Sequence, residues 1–326
     1  MRGRQWLSAV WLLGVIQAVH GDPRLHPGEV RVIDVERAHL REVVPAAVYM
    51  RHWFGTHQST AVFRFPSKTP GVTAPALSFH SHGTELAVQL AGDSEIVDAQ
   101  QRRYPLRQGD VVLVQANVLH TGTFGTAENR VLSVVTPPRP EYPAEDGMAY
   151  FPGHGQPVAA AVPARTAFSG PAVRTLFNLA NVESTLMHYP GGAVAFRHWH
   201  GDDVSVAVTR LRRGGQGHQA AEHAAHGEAL VWVLRGRMRY TVPGAGQVTA
   251  AAGQAVMLPP YRAHSARCIG EDCLLVSWHA PRRDEWGLEG SLPPLRLVAT
   301  GGGAVDAAHP YQCPCRADAR AAGEPR

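Results

Sequence analysis

The sequence predicts an all-β protein made of two homologous domains, each a sandwich or small barrel. Three observations predict this. Apolar residues come in short runs that alternate at period two, such as STAVFRF at 59–65 and DVSVAVTR at 203–210. Turn formers separate the runs: the 326 residues include 33 Gly and 25 Pro, and no run has the period and length of a helix. Third, the chain repeats itself.

The repeat sets the order of elements. Arg51-His52-Trp53-Phe54-Gly55 recurs as Arg197-His198-Trp199-His200-Gly201, and an alternating strand follows each copy. A His/Glu-rich stretch then leads into an apolar run that closes on glycine, ELAVQLAG at Gly92 and ALVWVLRG at Gly236. Gly109 and Gly253 each follow after 17 residues, and His120 and His264 each follow after 11 more. The copies end alike, in VLSVVTPPRPEY at 131–142 and LLVSWHAPRRDEW at 274–286. Such matched spacings imply a first domain over 22–140 and a second over 171–290. A Pro/Ala/Gly-rich linker over 141–170 joins them, and a poorly ordered polar tail runs over 291–326.

Residues 1–21 read as a secretory signal peptide. A basic MRGRQ precedes the apolar residues 6–19, a run too short to span a bilayer, with Val19 and Gly21 at the −3 and −1 positions of cleavage. An uncleaved anchor is the alternative. The expected location is therefore periplasmic or extracellular, with no membrane span after removal of the signal. Four cysteines suit that compartment. Cys268 and Cys273 flank a tight turn between strands and are placed to form a disulfide, since opposed hairpin positions lie about 5 Å apart. Cys313 and Cys315 are too close in sequence to pair easily with each other. They read as tail thiols or as cysteines that pair elsewhere, with metal binding beside His309 as the alternative.

A hydrophobic content of 44% excludes a disordered chain. Basic and acidic residues are interspersed at a net charge of +4, which leaves no nucleic-acid footprint. A phosphate-binding glycine loop, a Gly-x-Ser-x-Gly elbow and a His-Glu-x-x-His helix are all lacking, so hydrolase and nucleotide-dependent readings have no residues to stand on.

The chemistry concentrates in FHSHGTELAVQLAG at 79–92. On a strand, His80 and His82 point to one side, close enough to share a metal ion. Glu85 breaks that parity, but a turn at Gly83-Thr84 can start a new strand with Glu85 facing the same cavity. Glu85, Ala87, Gln89 and Ala91 then share a pocket face, with Phe63 and Phe65 giving the cavity an apolar part. Leu86, Val88 and Leu90 share the opposite face, suited to packing against another sheet, by domain pairing or in a homodimer. His120 is the fourth candidate ligand. Three imidazoles and a carboxylate suit Fe, Mn, Ni, Cu, Co or Zn without choosing among them. His52 and His198 read as braces at strand entries, with lining of the pocket as the lesser alternative.

This pattern resembles the cupin superfamily. Its first motif matches His80-Ser-His82-Gly-Thr-Glu85, with six residues to Gly92. Its second matches Gly109, five residues, Gln115-Ala-Asn117, two residues, His120. The gap from His82 to Glu85 is shorter than the family's usual one, and Gln115 and Asn117 stand where Pro and Gly are usual. Asn tolerates the left-handed turn conformation. The resemblance covers roughly 40–140 and 187–285 and implies a bicupin of two tandem jelly-roll β-barrels, with ligand roles on His80, His82, Glu85 and His120.

The second copy departs further. Aligned from Gly236, Ala229 takes the place of the glutamate, and Glu228 is displaced by one. Either His223, His226, Glu228 and His264 form an irregular second metal site, or this domain has lost its metal.

The expected function is an exported metal-dependent enzyme acting on a small molecule, a dioxygenase-like oxidoreductase in which Glu85 moves a proton. Bicupin flavonol dioxygenases resemble this layout. A metal-dependent isomerase or lyase of a carbonyl substrate, and a non-enzymatic small-molecule- or sugar-binding cupin, are the alternatives.

Overall fold

A computed structural model describes residues 30–44, 46–67, 82–125, 127–139, 171–212, 227–242, 246–260 and 264–293. The expected signal peptide, the whole linker, nearly all of the tail including Cys313 and Cys315, and the candidate ligands His80, His223 and His226 lie outside them.

The described residues are all-β, as the period-two runs predict, with two short 3-10 turns, Val182–Thr185 and Asp284–Trp286. The first ten strands are β1 (Arg31–Asp34), β2 (Arg41–Val44), β3 (Val48–Phe54), β4 (Ser59–Phe65), β5 (Thr84–Ala91), β6 (Ser94–Asp98), β7 (Arg103–Leu106), β8 (Asp110–Val114), β9 (His120–Phe124) and β10 (Asn129–Thr136). The next ten are β11 (Val173–Asn178), β12 (Met187–His188), β13 (Val194–His200), β14 (Ser205–Arg212), β15 (Glu228–Arg235), β16 (Arg237–Val242), β17 (Gly246–Ala251), β18 (Gln254–Leu258), β19 (Ser265–Cys268) and β20 (Asp272–Ala280).

The strands form two matched pairs of sheets. One seven-stranded sheet runs β2-β3-β4-β10-β5-β8-β11 and accompanies the three-stranded β7-β6-β9. The other runs β12-β13-β14-β20-β15-β18-β1 and accompanies β17-β16-β19. Each large sheet takes its last strand from across the repeat boundary. β1 pairs with β18, Arg31 opposite Met257, and β11 pairs with β8, Val173 opposite Val114. The repeats are thus laced together by two exchanged strands. Local patterning cannot show this, because RVID and VRTLFN fit the edge of either sheet.

The two faces of β5 separate as their parity predicts. Leu86, Val88, Leu113, Leu132 and Val134 join Val206, Val208, Leu230, Val276 and Trp278 in one buried cluster drawn from both repeats. The sheet that covers the Leu/Val face of the first repeat is therefore that of the second. The other faces line the barrel interiors: Met50, Phe54, Ala61, Phe63 and Phe65 in the first, and Val231, Val233, Met238, Tyr240 and Leu275 in the second. Gly109 and Gly253 adopt matched left-handed conformations, φ +88° and +85°, and Asn117 adopts φ +65°, the turn its amide side chain tolerates. Cys268 and Cys273 form the expected disulfide.

Candidate metal centre

Three of the sequence-derived ligands meet at one end of the first barrel. His82 precedes β5, Glu85 is its second residue, and His120 opens β9. Gly83 makes the short His82–Glu85 spacing workable. A Cβ at Gly83 would lie 2.0 Å from the carbonyl oxygen of Thr136, so only glycine lets the chain pass the end of β10. Gly227 makes the same approach to Ala280 in the second repeat. Beyond Gly83 the chain enters β5 with Thr84 opposite Thr136 and Glu85 opposite Val135.

Glu85 Oε2 lies 3.2 Å from His82 Nε2 and 3.7 Å from His120 Nε2. The three donor atoms all lie within 4.8 Å of one another. Ligands held at about 2.1 Å from one ion and separated by angles of about 90–120° stand about 3.0–3.6 Å apart, so the set is close to what a transition metal requires. The rings of His82 and His120 are perpendicular, 4.9 Å between centroids. All three residues are buried, with exposures of 2%, 8% and 4% for His82, Glu85 and His120.

Second partners aim these donors. His82 Nδ1 lies 2.8 Å from the Gly83 carbonyl, and His120 Nδ1 lies 2.8 Å from the Val118 carbonyl. A carbonyl only accepts, so each ring, in the neutral form that can ligate a metal, carries its proton on Nδ1 and keeps a lone pair on Nε2, the nitrogen turned to Glu85. The Ser133 hydroxyl donates a short hydrogen bond to Glu85 Oε1. Burial works against ionisation of Glu85, yet the two histidines outweigh it and hold the carboxyl well below the usual carboxylate range. Burial, aided by Arg139 and His120 and opposed by Glu85, pushes His82 down. An ionised carboxylate beside a neutral His82 is the protonation state that metal ligation needs.

Other expectations resolve differently. Gln89 is buried, but its amide is committed to structure. It donates to the Ala91 carbonyl at 2.7 Å and to Asn129 Oδ1 at 2.8 Å, and it accepts from Ser94 at 2.7 Å. Phe65 stacks on Phe124 in the barrel interior. His52, opposite Ala61, is buried and edge-on to Phe54, so it contributes to the interior as well as to strand entry.

In the second repeat Ala229 stands opposite His279, and Glu228 stands opposite Ala280. That one-residue displacement turns Glu228 to the other face of its sheet. Its carboxylate accepts the His57 N–H at 2.5 Å, in the turn of the first repeat that begins at Gly55. The structure thus puts Glu228 in the seam between the repeats rather than in a site with His264. Among the described residues the first-repeat cluster is the only one with metal-ligand geometry. At the corresponding place in the second repeat Trp286 packs against Phe196, His198, His200 and His279, with the Arg283 guanidinium over its ring.

Sequence reasoning missed Ser133, Asp203 and Trp278. A serine at the same place in two apolar strands, VLSVV and LLVSW, is the signal that marks Ser133. Asp203 Oδ1 accepts the Thr84 hydroxyl at 2.6 Å, and the Trp278 indole N–H donates to Thr136 at 3.2 Å. Both contacts cross between repeats and brace the strand entry that carries His82 and Glu85.

No protein-family model matches the chain, and no curated protein does. Solved structures match it in fold. A cupin 2 conserved barrel domain protein from Leptotrichia buccalis is 16% identical, with a TM-score of 0.49 over 77% of this chain and 96% of that one. AerE from Microcystis aeruginosa is 13% identical, with a TM-score of 0.51 over 74% of this chain and 96% of that one. The oxalate decarboxylase of Lactobacillus farciminis, solved as a formate complex, is 15% identical, with a TM-score of 0.51 over 77% of this chain and 86% of that one. Oxalate decarboxylase is a two-domain cupin. With the matched motif spacings and the paired seven-stranded sheets, that likeness identifies the fold of this protein as the two-barrel cupin fold.

Proposed function

We propose that the protein is an exported, metal-dependent cupin enzyme whose first repeat holds one divalent transition metal on His82, Glu85 and His120, with His80 as the fourth ligand. The convergence of two Nε2 atoms and one carboxylate oxygen in a buried cluster carries the reading. The N-terminal signal pattern and the Cys268–Cys273 disulfide support export.

The reaction we favour is dioxygenase-like oxidation of a small molecule. A bound metal of this class supplies Lewis acidity and, where redox-active, access to oxygen chemistry. The chain's own groups do the rest. The two Nδ1–carbonyl hydrogen bonds hold both imidazoles in one tautomer. Phe63, Phe65 and Phe124 give the barrel an apolar, water-poor interior. Glu85, ionised at neutral pH, is the group able to take a proton from a substrate hydroxyl. Carbonyl isomerisation or lysis would use the same donors. The likeness to oxalate decarboxylase is one of fold and does not choose a reaction.

The test is metal content by plasma mass spectrometry, on mature protein purified without chelators or a histidine tag, followed by oxygen uptake with candidate phenolic substrates. One equivalent of metal and metal-dependent oxygen consumption are expected. Metal-dependent turnover without oxygen uptake would transfer the assignment to an isomerase or lyase. Protein that contains no metal and takes none up would overturn the enzyme reading in favour of a binding module.

A further inference from the structure

We infer that Ser133 is the positioning residue of the metal centre, and that it restricts Glu85 to a single coordinating oxygen. The inference rests on the metal-dependent reading of the first repeat.

Glu85 offers two oxygens, and the fold gives each a different task. Ser133, on β10 opposite Ala87, reaches diagonally across the strand pair and donates its hydroxyl hydrogen to Oε1. Oε2 is the atom turned to both imidazoles, 3.2 Å from one Nε2 and 3.7 Å from the other. A carboxylate with one oxygen engaged by a buried hydroxyl is hindered from rotating to present both oxygens to an ion. Ser133 is itself buried, so water does not compete for that bond.

The second repeat provides an internal comparison. Ser277 stands opposite Val231 as Ser133 stands opposite Ala87, but Ala229 replaces the carboxylate. The Ser277 hydroxyl lies 3.0 Å from His279 Nε2 instead. The strand scaffold thus carries a serine at this place in both barrels, and only in the first does it meet a carboxylate.

The experiment uses the full-length mature protein with Co(II) alone as probe. Affinity is read by competition with a chromogenic chelator, and coordination is read from the visible absorption of the bound ion. Ser133→Ala is expected to bind Co(II) roughly 10- to 100-fold more weakly than the wild type, with altered visible bands as Glu85 gains a second coordinating oxygen. Ser133→Thr, which restores the hydroxyl, is expected to recover affinity and spectrum. Ser277→Ala, which changes the equivalent serine outside the site, is expected to match the wild type. Should Ser133→Ala fail to fold, Ser133→Cys carries the test, because it keeps the volume and weakens the donor; an intermediate loss is expected. Wild-type affinity and spectrum in Ser133→Ala or Ser133→Cys would overturn the role of Ser133 and leave the metal centre standing. Failure of the wild type itself to bind Co(II) would overturn the metal centre and this inference with it.

Discussion

Glu228 makes the stability of this protein depend on pH in a way that one substitution should abolish. The carboxyl is 2% exposed, in the seam between the repeats. Burial raises it from 4.5 to about 7, outweighing the backbone N–H donors of His57, Gln58 and Thr56 that favour its ionised form. Below pH 4.5 the folded and unfolded chains both hold the proton. Between 4.5 and about 7 the folded chain keeps a proton that the unfolded chain has released, so stability falls as pH rises, and the loss is complete above 7. At about 1.4 kcal/mol per pH unit, the change between pH 5 and 8 amounts to about 2.5 kcal/mol. Glu228→Gln keeps the shape and removes the titration. His57, pushed down by burial, acts in the opposite sense, gaining stability as pH rises towards 6.5, and it is common to both proteins. The difference between wild type and variant therefore isolates Glu228. Urea denaturation from pH 5 to 8 should show the variant gaining about 2.5 kcal/mol relative to the wild type. A difference that stays flat across that range would refute the reasoning.

Three further outcomes follow from the site and its supports. His82→Ala should abolish metal uptake while the protein remains folded, read by plasma mass spectrometry beside circular dichroism; retention of full metal content would remove His82 from the site. Asp203→Ala leaves the buried Thr84 hydroxyl without its acceptor, so it should cost about 1–3 kcal/mol in urea denaturation and lower metal affinity from the opposite repeat. Reduction of Cys268–Cys273, a bridge across a sequence separation of 5, should cost about 2 kcal/mol on the loop-entropy estimate and leave metal affinity unchanged, because both cysteines belong to the second repeat.

Much of the site was legible because it is written in local parity. Alternation along ELAVQLAG separates Glu85 and Ala87 from Leu86 and Val88, and β5 keeps that division. Asn117 could be read as a left-handed turn from its side chain alone. The parts that stayed hidden depend on what lies opposite, and one strand does not record its neighbour. Nothing in RVID distinguishes the first barrel's edge from the second's. Gln89 looks like a pocket group until Asn129 and Ser94 occupy its amide. Ser133 has meaning only beside a carboxylate two residues out of register on the next strand.

Glu228 shows how a single displacement redistributes function between the repeats. Glu228 aligns with Thr84, and each of these residues touches the other repeat, Glu228 at the turn after Gly55 and Thr84 at Asp203. Gly55 is needed for the first contact, since a Cβ there would lie 1.4 Å from Glu228 Oε1. Moving the carboxylate from the face of Ala229 to that of Glu228 takes it from the barrel interior to the seam. In the first repeat the acid sits one residue later, within reach of His82, His120 and Ser133. The same residue type thus serves as a candidate metal ligand in one barrel and as a strut between barrels in the other. The alternation of a β-strand decides which. Restoring the interior acid with Ala229→Glu should therefore place a carboxylate beside Ser277 and His279, where Trp286 already packs against His279. The expected result is a loss of stability in urea without a second equivalent of metal; a second equivalent would show that the missing acid alone separates the two barrels.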